Sequence, residues 1–258
     1  MTWFPTGPTA FFPLHAAGQY NTKEKGSKTY HYVASSYTPT LSVLADASNS
    51  LCHEPEPFKG ILAVSQPYAL GQTPIPKTVD EVKALVKAVD HMVPLQWLNE
   101  DQATKEAVLR GMQTSTWVHL ACHAQQYPLN TSESAFMLGN GDKLSLADIS
   151  AHPHADGELA FLSACQTAAG DFDLSEEGVH LASGMLFAGY RGVIATSWSV
   201  RDEDAPVVAE EVYRRLLEGR KVKRSGSALA LHHATQLLRD NVGEDQIFRW
   251  APFTHFGI

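Results

Sequence analysis

Two apolar runs, the second of which is followed by small, turn-forming residues, constrain the fold of this 258-residue chain more than any other feature. The first reads Thr-Trp-Val-His-Leu-Ala-Cys-His and ends at His123, and the second reads Leu-Ala-Phe-Leu-Ser-Ala-Cys and ends at Cys165. Continuous apolar runs of this length are typical of strands that are buried on both faces of a parallel sheet. Because the carboxyl ends of parallel strands meet at one edge of the sheet, we expect His123 and Cys165 to lie side by side.

Shorter elements alternate around these two runs in the order strand, helix, strand. Gly60–Ser65 is a predicted buried strand, and residues 78–91 form a predicted helix. Thr78 is the expected N-cap of this helix, and Asp80 and Glu81 place negative charge in its first turn. The alternation of strands and helices predicts an α/β fold whose central, mainly parallel sheet is flanked by helices.

The two ends of the chain are less regular. Three prolines among the first 20 residues predict an irregular N-terminal lead-in over about residues 1–28. The aromatic and β-branched segment Tyr30–Tyr37 predicts a strand after it. The sequence contains no internal repeat and no linker of the kind that separates domains, so we expect a single domain over residues 1–258.

Composition excludes several classes of function. The net charge of −8 argues against direct binding to nucleic acid, which requires a basic face. No apolar stretch approaches the ~20 residues that cross a bilayer, so no membrane association is expected. The three cysteines, Cys52, Cys122 and Cys165, have no paired spacing. Free thiols in a reducing compartment are therefore expected, and we predict a cytoplasmic protein.

A cysteine beside a histidine at adjacent strand ends can act as a nucleophile. A helix N-terminus or an imidazole lowers the ordinary thiol pKa of ~8.5, so that Cys165 would be partly thiolate. His123 would donate a proton to the leaving amine, and the backbone N–H groups of Ala124 and Cys165 could hold an oxyanion. Spacing identifies no third residue. The competing interpretation is that Cys165 is an inert core thiol.

A metal site is the other interpretation of the same residues. His119, Cys122, His123 and Cys165 are all possible ligands, and His119 and His123 share one face of a strand while Cys122 points the other way. No Cys-x-x-Cys pair and no helical His-x-x-x-His motif supports zinc, so no metal is expected. The turn Gly139–Lys143 lacks the first half of a phosphate-binding loop, and no cofactor is expected either.

Four segments together resemble a known family. They are His-Leu-Ala-Cys-His123, Leu-Ser-Ala-Cys165-Gln-Thr, the segment from Glu-Glu-Gly-Val-His-Leu-Ala-Ser-Gly to Trp198-Ser-Val-Arg-Asp202, and the closing Trp250-Ala-Pro-Phe. In this order they resemble a CHAT domain. The segments Pro-Thr-Gly-Pro, Leu14-His-Ala-Ala-Gly18 and Ser-Ser-Tyr-Thr-Pro-Thr40 near the start of the chain resemble its fungal branch. The resemblance covers nearly the whole chain.

The resemblance implies a caspase- and separase-like three-layer sandwich with a His-Cys dyad at His123 and Cys165. It implies a cysteine endopeptidase whose substrate is a protein or peptide, and a regulatory helical-repeat region or partner. Two rivals remain open, namely a catalytically silent CHAT module that acts as a scaffold or signalling partner, and an esterase or acyltransferase with the same dyad.

Two positions depart from related sequences. Many relatives carry glycine directly after the dyad histidine, where this chain has Ala124, whose side chain could hinder the N–H from turning toward an oxyanion. Ser-Ala-Cys-Gln-Thr also departs from the Gln-Ala-Cys-x-Gly of caspases, so the caspase preference for aspartate is not implied.

Acidic residues near the two strand ends suggest a substrate preference. Asp171 and Asp173 follow the Cys165 run, and Asp202 follows Trp198. A pocket walled by Trp198 and lined by one of these acids would favour a basic residue before the scissile bond. The alternative is that these charges are solvated and that Asp202 caps a helix.

Overall fold

The computed structural model describes residues 1–50, 56–127, 130–165 and 177–258. The strands, in chain order, are β1 (Thr2–Trp3), β2 (Ser36–Tyr37), β3 (Ile61–Ser65), β4 (Leu95–Asn99), β5 (Trp117–Gln125), β6 (Ala135–Met137), β7 (Lys143–Ser145), β8 (Leu159–Cys165), β9 (Gly192–Thr196) and β10 (Phe253–Gly257). The α-helices are α1 (Leu41–Ser50), α2 (Lys77–Val89), α3 (Lys105–Thr114), α4 (Leu146–Ser150), α5 (Glu177–Phe187), α6 (Ala205–Leu216), α7 (Ser227–Val242) and α8 (Ile247–Trp250).

Eight of these strands form the central sheet in the order β1-β2-β10-β9-β8-β5-β3-β4. Every neighbouring pair is parallel except β9 and β10. β6 pairs antiparallel with the end of β5 and with β7, which forms a small hairpin beside the sheet. The predicted central, mainly parallel sheet is thus confirmed, with β5 and β8 at its centre.

Helices cover both faces of the sheet. Val118 and Leu120 of β5 pack in a core with α3, α4 and α5, whereas Trp117 of β5 and Phe161 of β8 pack in a second core with α2, α6 and α7. Because alternate residues of one strand enter different cores, β5 and β8 must be apolar on both faces, as their sequences indicated. The result is the predicted three-layer α/β sandwich. In the described part of the chain, no helix combines the length and apolar character needed to span a bilayer.

The predicted strand over residues 30–37 is wrong except at its end. A 3-10 turn occupies Thr29–His31, and only β2 joins the sheet. The ring of Tyr30 lies edge-on against Trp250, and the guanidinium carbon of Arg239 lies 3.9 Å from the centre of the same ring. The ring of Tyr30 is thus used for contacts with α7 and α8, which a local turn permits, whereas Tyr32 is exposed and only Tyr37 lies in a strand.

The N-terminal lead-in is largely irregular, as expected. Residues 1–28 contain β1, two short 3-10 turns and a single β-bridge between Gly18 and Lys28. β1 pairs with β2 and so extends the sheet at its edge. That residues 1–258 form one domain stays a prediction.

The start of α2 differs from the expected one. The helix begins at Lys77, and the hydroxyl of Thr78 donates to the carbonyl of Ile75 at 2.9 Å. Thr78 is therefore not the N-cap, because an N-cap side chain accepts a hydrogen bond from a backbone N–H of the first turn. Asp80 lies in the first turn as predicted, but Glu81 lies beyond that turn, is only 1% exposed and points into the core.

A buried histidine makes the stability of this fold depend on pH. His255 of β10 is 1% exposed, and its two ring nitrogens lie 2.8 Å from Ser36 Oγ and 2.7 Å from Ser227 Oγ. Burial lowers its pKa from 6.5 to about 3. Between pH 6.5 and about pH 3 the unfolded chain therefore binds a proton at His255 and the folded chain does not. The free energy of unfolding that is present above pH 6.5 accordingly decreases as the pH falls towards 3.

We predict that the free energy of unfolding falls less steeply between pH 6.5 and pH 3 in His255→Gln than in the wild type, because glutamine cannot take up the proton. Urea unfolding at several pH values measures this slope. His91→Gln, at an exposed histidine, should keep the wild-type slope. Identical slopes in all three proteins would show that His255 is not a source of the acid sensitivity.

Candidate functional site

The candidate site is built on the two central strands. β5 and β8 are adjacent and parallel, and their residues pair in continuous register from Trp117 opposite Leu159 to His123 opposite Cys165. The predicted neighbourhood of His123 and Cys165 is therefore found at the level of the backbone. Both lie at the carboxyl ends of their strands, where α/β sheets place reactive groups. The side chain of Cys165 and residues 166–176 lie outside what the structure describes.

His123 is buried and has a defined partner. Its Nε2 lies 2.7 Å from the backbone carbonyl oxygen of Thr73. A carbonyl oxygen can only accept a hydrogen bond, so the proton of the imidazole is assigned to Nε2. In the neutral ring Nδ1 is then the unprotonated nitrogen and hence the base.

Thr73 is the site residue that sequence reasoning missed. It belongs to the loop between β3 and α2, in which the backbone N–H of Ile75 donates to the carbonyl of Pro67 at 3.0 Å. Pro74 restricts Thr73 to an extended conformation, which helps to hold its carbonyl in place. Every residue carries a carbonyl, so no side chain marked this position. The only available signal was the pair of prolines on either side of Ile75, which indicates a stiff loop after a strand end.

Ala124 follows His123 in β5 and pairs in register with Phe136 of β6. It has the extended backbone of a strand residue, and it packs in the core on the α3 and α5 side. Its methyl group is thus accommodated at a position where many related sequences have glycine. Its role as an oxyanion donor stays a prediction.

Asp202 lies beside the start of α2, within electrostatic range of His123. Its Oδ2 accepts a hydrogen bond from the backbone N–H of Lys77 at 3.1 Å. Burial raises the pKa of the Asp202 carboxyl, whereas the Lys77 N–H and the charge of a protonated His123 act in the opposite direction. Asp202 does cap a helix, as the alternative interpretation held. The helix is α2, and not α6, which follows Asp202 in the sequence.

The other predicted substrate-binding residues are placed unequally. Trp198 is half-buried after β9, and its Nε1 donates to the carbonyl of Phe248 at 3.1 Å, which fixes the indole ring. The rings of Trp198 and Phe248 meet at a centroid distance of 6.3 Å. Asp171 and Asp173 lie outside the described residues.

The side chains weighed as metal ligands point in different directions. Cys122 packs in the core on the α3 and α5 side. His119 lies on the opposite face, where its ring meets Phe161 and Tyr213. Across residues 1–50, 56–127, 130–165 and 177–258, no group of three His, Cys, Asp or Glu side chains is arranged to hold a metal ion.

Solved structures with a similar fold are cysteine peptidases. The chain superposes on the Arg-specific cysteine proteinase gingipain R with a TM-score of 0.60 at 12% identity, over 86% of this chain and 53% of that one. A complex of the pro- and mature domains of Porphyromonas gingivalis RgpB gives a TM-score of 0.61 at 13% identity, over 88% and 56%. The Saccharomyces cerevisiae separase–securin complex gives 0.63 at 15% identity, over 96% and 15%.

These similarities define the class of fold. The chain has the caspase-like α/β fold of gingipain and separase, and it spans about half of the gingipain chains and a much smaller part of separase. No curated protein sequence shows significant similarity to it. The sequence profile of the CHAT domain matches residues 1–258. The chain therefore belongs to the CHAT domain family, as its ordered motifs indicated.

Proposed function

We propose that this chain is a cysteine endopeptidase with His123 and Cys165 as its dyad. The observation that carries the proposal is the register pair of His123 and Cys165 at the ends of β5 and β8, together with the Thr73 carbonyl on Nε2 of His123. A histidine whose proton is held on one nitrogen presents the other nitrogen as a base. The caspase-like fold of cysteine peptidases supports the same assignment.

The reaction begins with transfer of the Cys165 thiol proton to Nδ1 of His123. The thiolate sulfur then attacks the carbonyl carbon of the peptide bond and forms a tetrahedral oxyanion. Collapse of this intermediate breaks the C–N bond, and the protonated His123 gives its proton to the leaving amine. Water, deprotonated by the neutral His123, hydrolyses the thioester and restores the thiol.

Backbone groups are proposed to hold the oxyanion. The N–H groups of Ala124 and Cys165 lie next to the dyad in sequence, and fixed N–H dipoles stabilise developing negative charge because they need no reorganisation. Ala124 sits in an ordered strand, which suits this role.

We further propose a basic residue before the scissile bond. Asp202 supports this preference because its carboxylate lies near His123 and remains half-exposed. Trp198 would form the wall of the pocket, with its indole held by the carbonyl of Phe248. Asp171 and Asp173 remain part of the hypothesis as further acids.

The remaining expectations concern the setting of the reaction. We propose that the substrate is a protein or peptide and that a regulatory partner or helical-repeat region acts on the chain. We also propose that the reaction takes place in the cytoplasm without a cofactor. The yeast separase that shares this fold was solved together with securin, which supports a protein regulator as one option. Membership of the fungal branch stays a prediction.

The dyad is tested by digestion of a mixed-sequence peptide library with cut sites mapped by mass spectrometry. We expect the wild type to cleave and both Cys165→Ala and His123→Ala to lose at least about a thousandfold in rate. Cys122→Ala changes the neighbouring cysteine of β5, which faces the opposite core, and should keep the wild-type cut sites.

Circular dichroism and thermal unfolding confirm that each variant is folded before its rate is compared. Cleavage by Cys165→Ala at the wild-type rate would contradict the assignment of the dyad. A folded wild type that cuts nothing would favour the silent scaffold, and turnover of small acyl esters without peptide cleavage would favour the esterase or acyltransferase.

The substrate preference is tested with fluorogenic peptides that differ only in the residue before the scissile bond. Asp202→Asn keeps a hydrogen-bond acceptor for Lys77 and removes the charge, so kcat/KM for Lys or Arg peptides should fall about ten- to a hundredfold, because a charged hydrogen bond is lost. Asp80→Asn, at a more distant acid of the same helix start, should leave the preference unchanged. An unaltered preference in Asp202→Asn would exclude Asp202 from the pocket.

A further inference from the structure

A group of four buried polar side chains lies directly below the candidate dyad. Glu81 of α2, His119 of β5, Ser163 of β8 and Tyr213 of α6 are each no more than 3% exposed. His119 precedes His123 by four positions on β5, so both point to the same face of the sheet. Four elements of the fold therefore meet in this group, which we call the buried polar cluster.

Hydrogen bonds connect the members of the buried polar cluster. Ser163 Oγ donates to Oε2 of Glu81 at 2.9 Å, and the hydroxyl of Tyr213 lies 3.1 Å from Nδ1 of His119. Nε2 of His119 lies 3.2 Å from Oε1 of Glu81, although the two atoms are not aligned as a hydrogen bond.

The protonation pattern of the cluster is self-consistent. Burial, together with the charge of Glu81, raises the pKa of Tyr213, so the phenol keeps its proton and donates to Nδ1 of His119. The proton of His119 is then on Nε2, on the side of the Glu81 carboxylate. Glu81 thus faces donors from β5 and from β8.

Glu81 is also joined to the partner of His123 through the start of α2. Thr73 lies in the loop that leads into α2, and both the N–H and the hydroxyl of Thr78 bond to the carbonyl of Ile75 in that loop. These two hydrogen bonds tie the loop to the first turn of α2. Any shift of α2 along the sheet would carry the Thr73 carbonyl away from His123.

We propose that Glu81 is a positioning residue for the dyad, because its carboxylate locks α2 against β5 and β8 and so holds the Thr73 carbonyl on Nε2 of His123. The proposal rests on the proposed peptidase function for its kinetic consequence. A buried polar contact adds little stability over a well-packed apolar one, but its geometry fixes how two elements meet. Such a constraint matters here because His119 and Ser163 precede the candidate dyad residues on the same two strands.

The consequence concerns the chemical step and not the binding of substrate. Loss of the lock lets α2 and its loop shift, which frees the ring of His123 to change its orientation and the position of its proton. A misplacement of a catalytic group lowers kcat while KM is little changed.

The test compares Glu81→Ala, Glu81→Gln and Val89→Ala. Glutamine keeps the shape and an acceptor oxygen for Ser163 Oγ, but its amide group replaces the oxygen that faces Nε2 of His119, so it should keep the lock only in part. Val89 is buried at the far end of α2, so Val89→Ala weakens the packing of the same helix without touching the cluster. Urea unfolding measures the stability that each variant loses.

Two readouts are used on each variant. The first is the Nε2–H resonance of His123 in a ¹⁵N-correlated NMR spectrum without substrate, and the second is kcat and KM on a peptide that the wild type cleaves. In Glu81→Ala we expect exchange of this proton with water to accelerate about tenfold or more, and kcat to fall about ten- to a hundredfold at a similar KM. Glu81→Gln should fall between the wild type and Glu81→Ala in both readouts, and Val89→Ala should resemble the wild type.

The proposal is overturned if Glu81→Ala keeps the wild-type exchange rate, or if Val89→Ala changes both readouts as much at an equal loss of stability. If Glu81→Ala does not fold, Ser163→Ala, which removes only one hydrogen bond of the cluster, should show a smaller change in the same direction, and its absence would overturn the proposal. A wild type without peptidase activity would defeat the proposed function alone, because the NMR comparison still decides the role of Glu81.

Discussion

The parallel pairing of β5 with β8 is the constraint on which the rest of the structure depends. The register runs without interruption to the last residue of β8, so the backbone alone sets His123 opposite Cys165. A shift of one residue would move every side chain of a strand to the other face of the sheet. Because both strands are buried on both faces by separate cores, such a slip is strongly disfavoured. The position of the candidate dyad is therefore a consequence of how the core is packed.

The start of α2 gathers the contacts that the strands cannot supply. The Thr73 carbonyl meets His123 just before the helix, Asp202 caps its first N–H, and Glu81 ties its second turn to the buried polar cluster. A strand fixes the direction in which its own side chain points. A helix and its preceding loop, packed across the sheet, can supply hydrogen-bond partners to that side chain. The proposed base, its proton and the nearby carboxylate are thus organised by one element packed across the sheet.

The sequence predicted the features that follow from periodicity and missed those that depend on tertiary approach. Long apolar runs identified β5 and β8 and the pairing of His123 with Cys165, since such runs have few alternatives. The Tyr30–Tyr37 segment was a misleading signal because strand propensity reports side-chain packing, and here Tyr30 packs against Trp250 and Arg239 while Tyr32 is exposed. The sequence placed Glu81 with Asp80 as a negative charge in the first turn of α2, and its burial depends on partners from three other elements. Thr73 contributes a carbonyl, which leaves no trace in the sequence.

The central claim is that His123 activates the thiol of Cys165, and thiol reactivity tests it most directly. The measurement is the rate of alkylation by iodoacetamide at pH 6, followed for each cysteine by peptide mass spectrometry in the wild type and in His123→Ala. An ordinary thiol is almost fully protonated at this pH, so we predict that Cys165 reacts at least about a hundredfold faster than the buried Cys122 in the wild type, and that His123→Ala removes this advantage. A Cys165 that reacts no faster than Cys122, or equally fast with and without His123, would contradict the account.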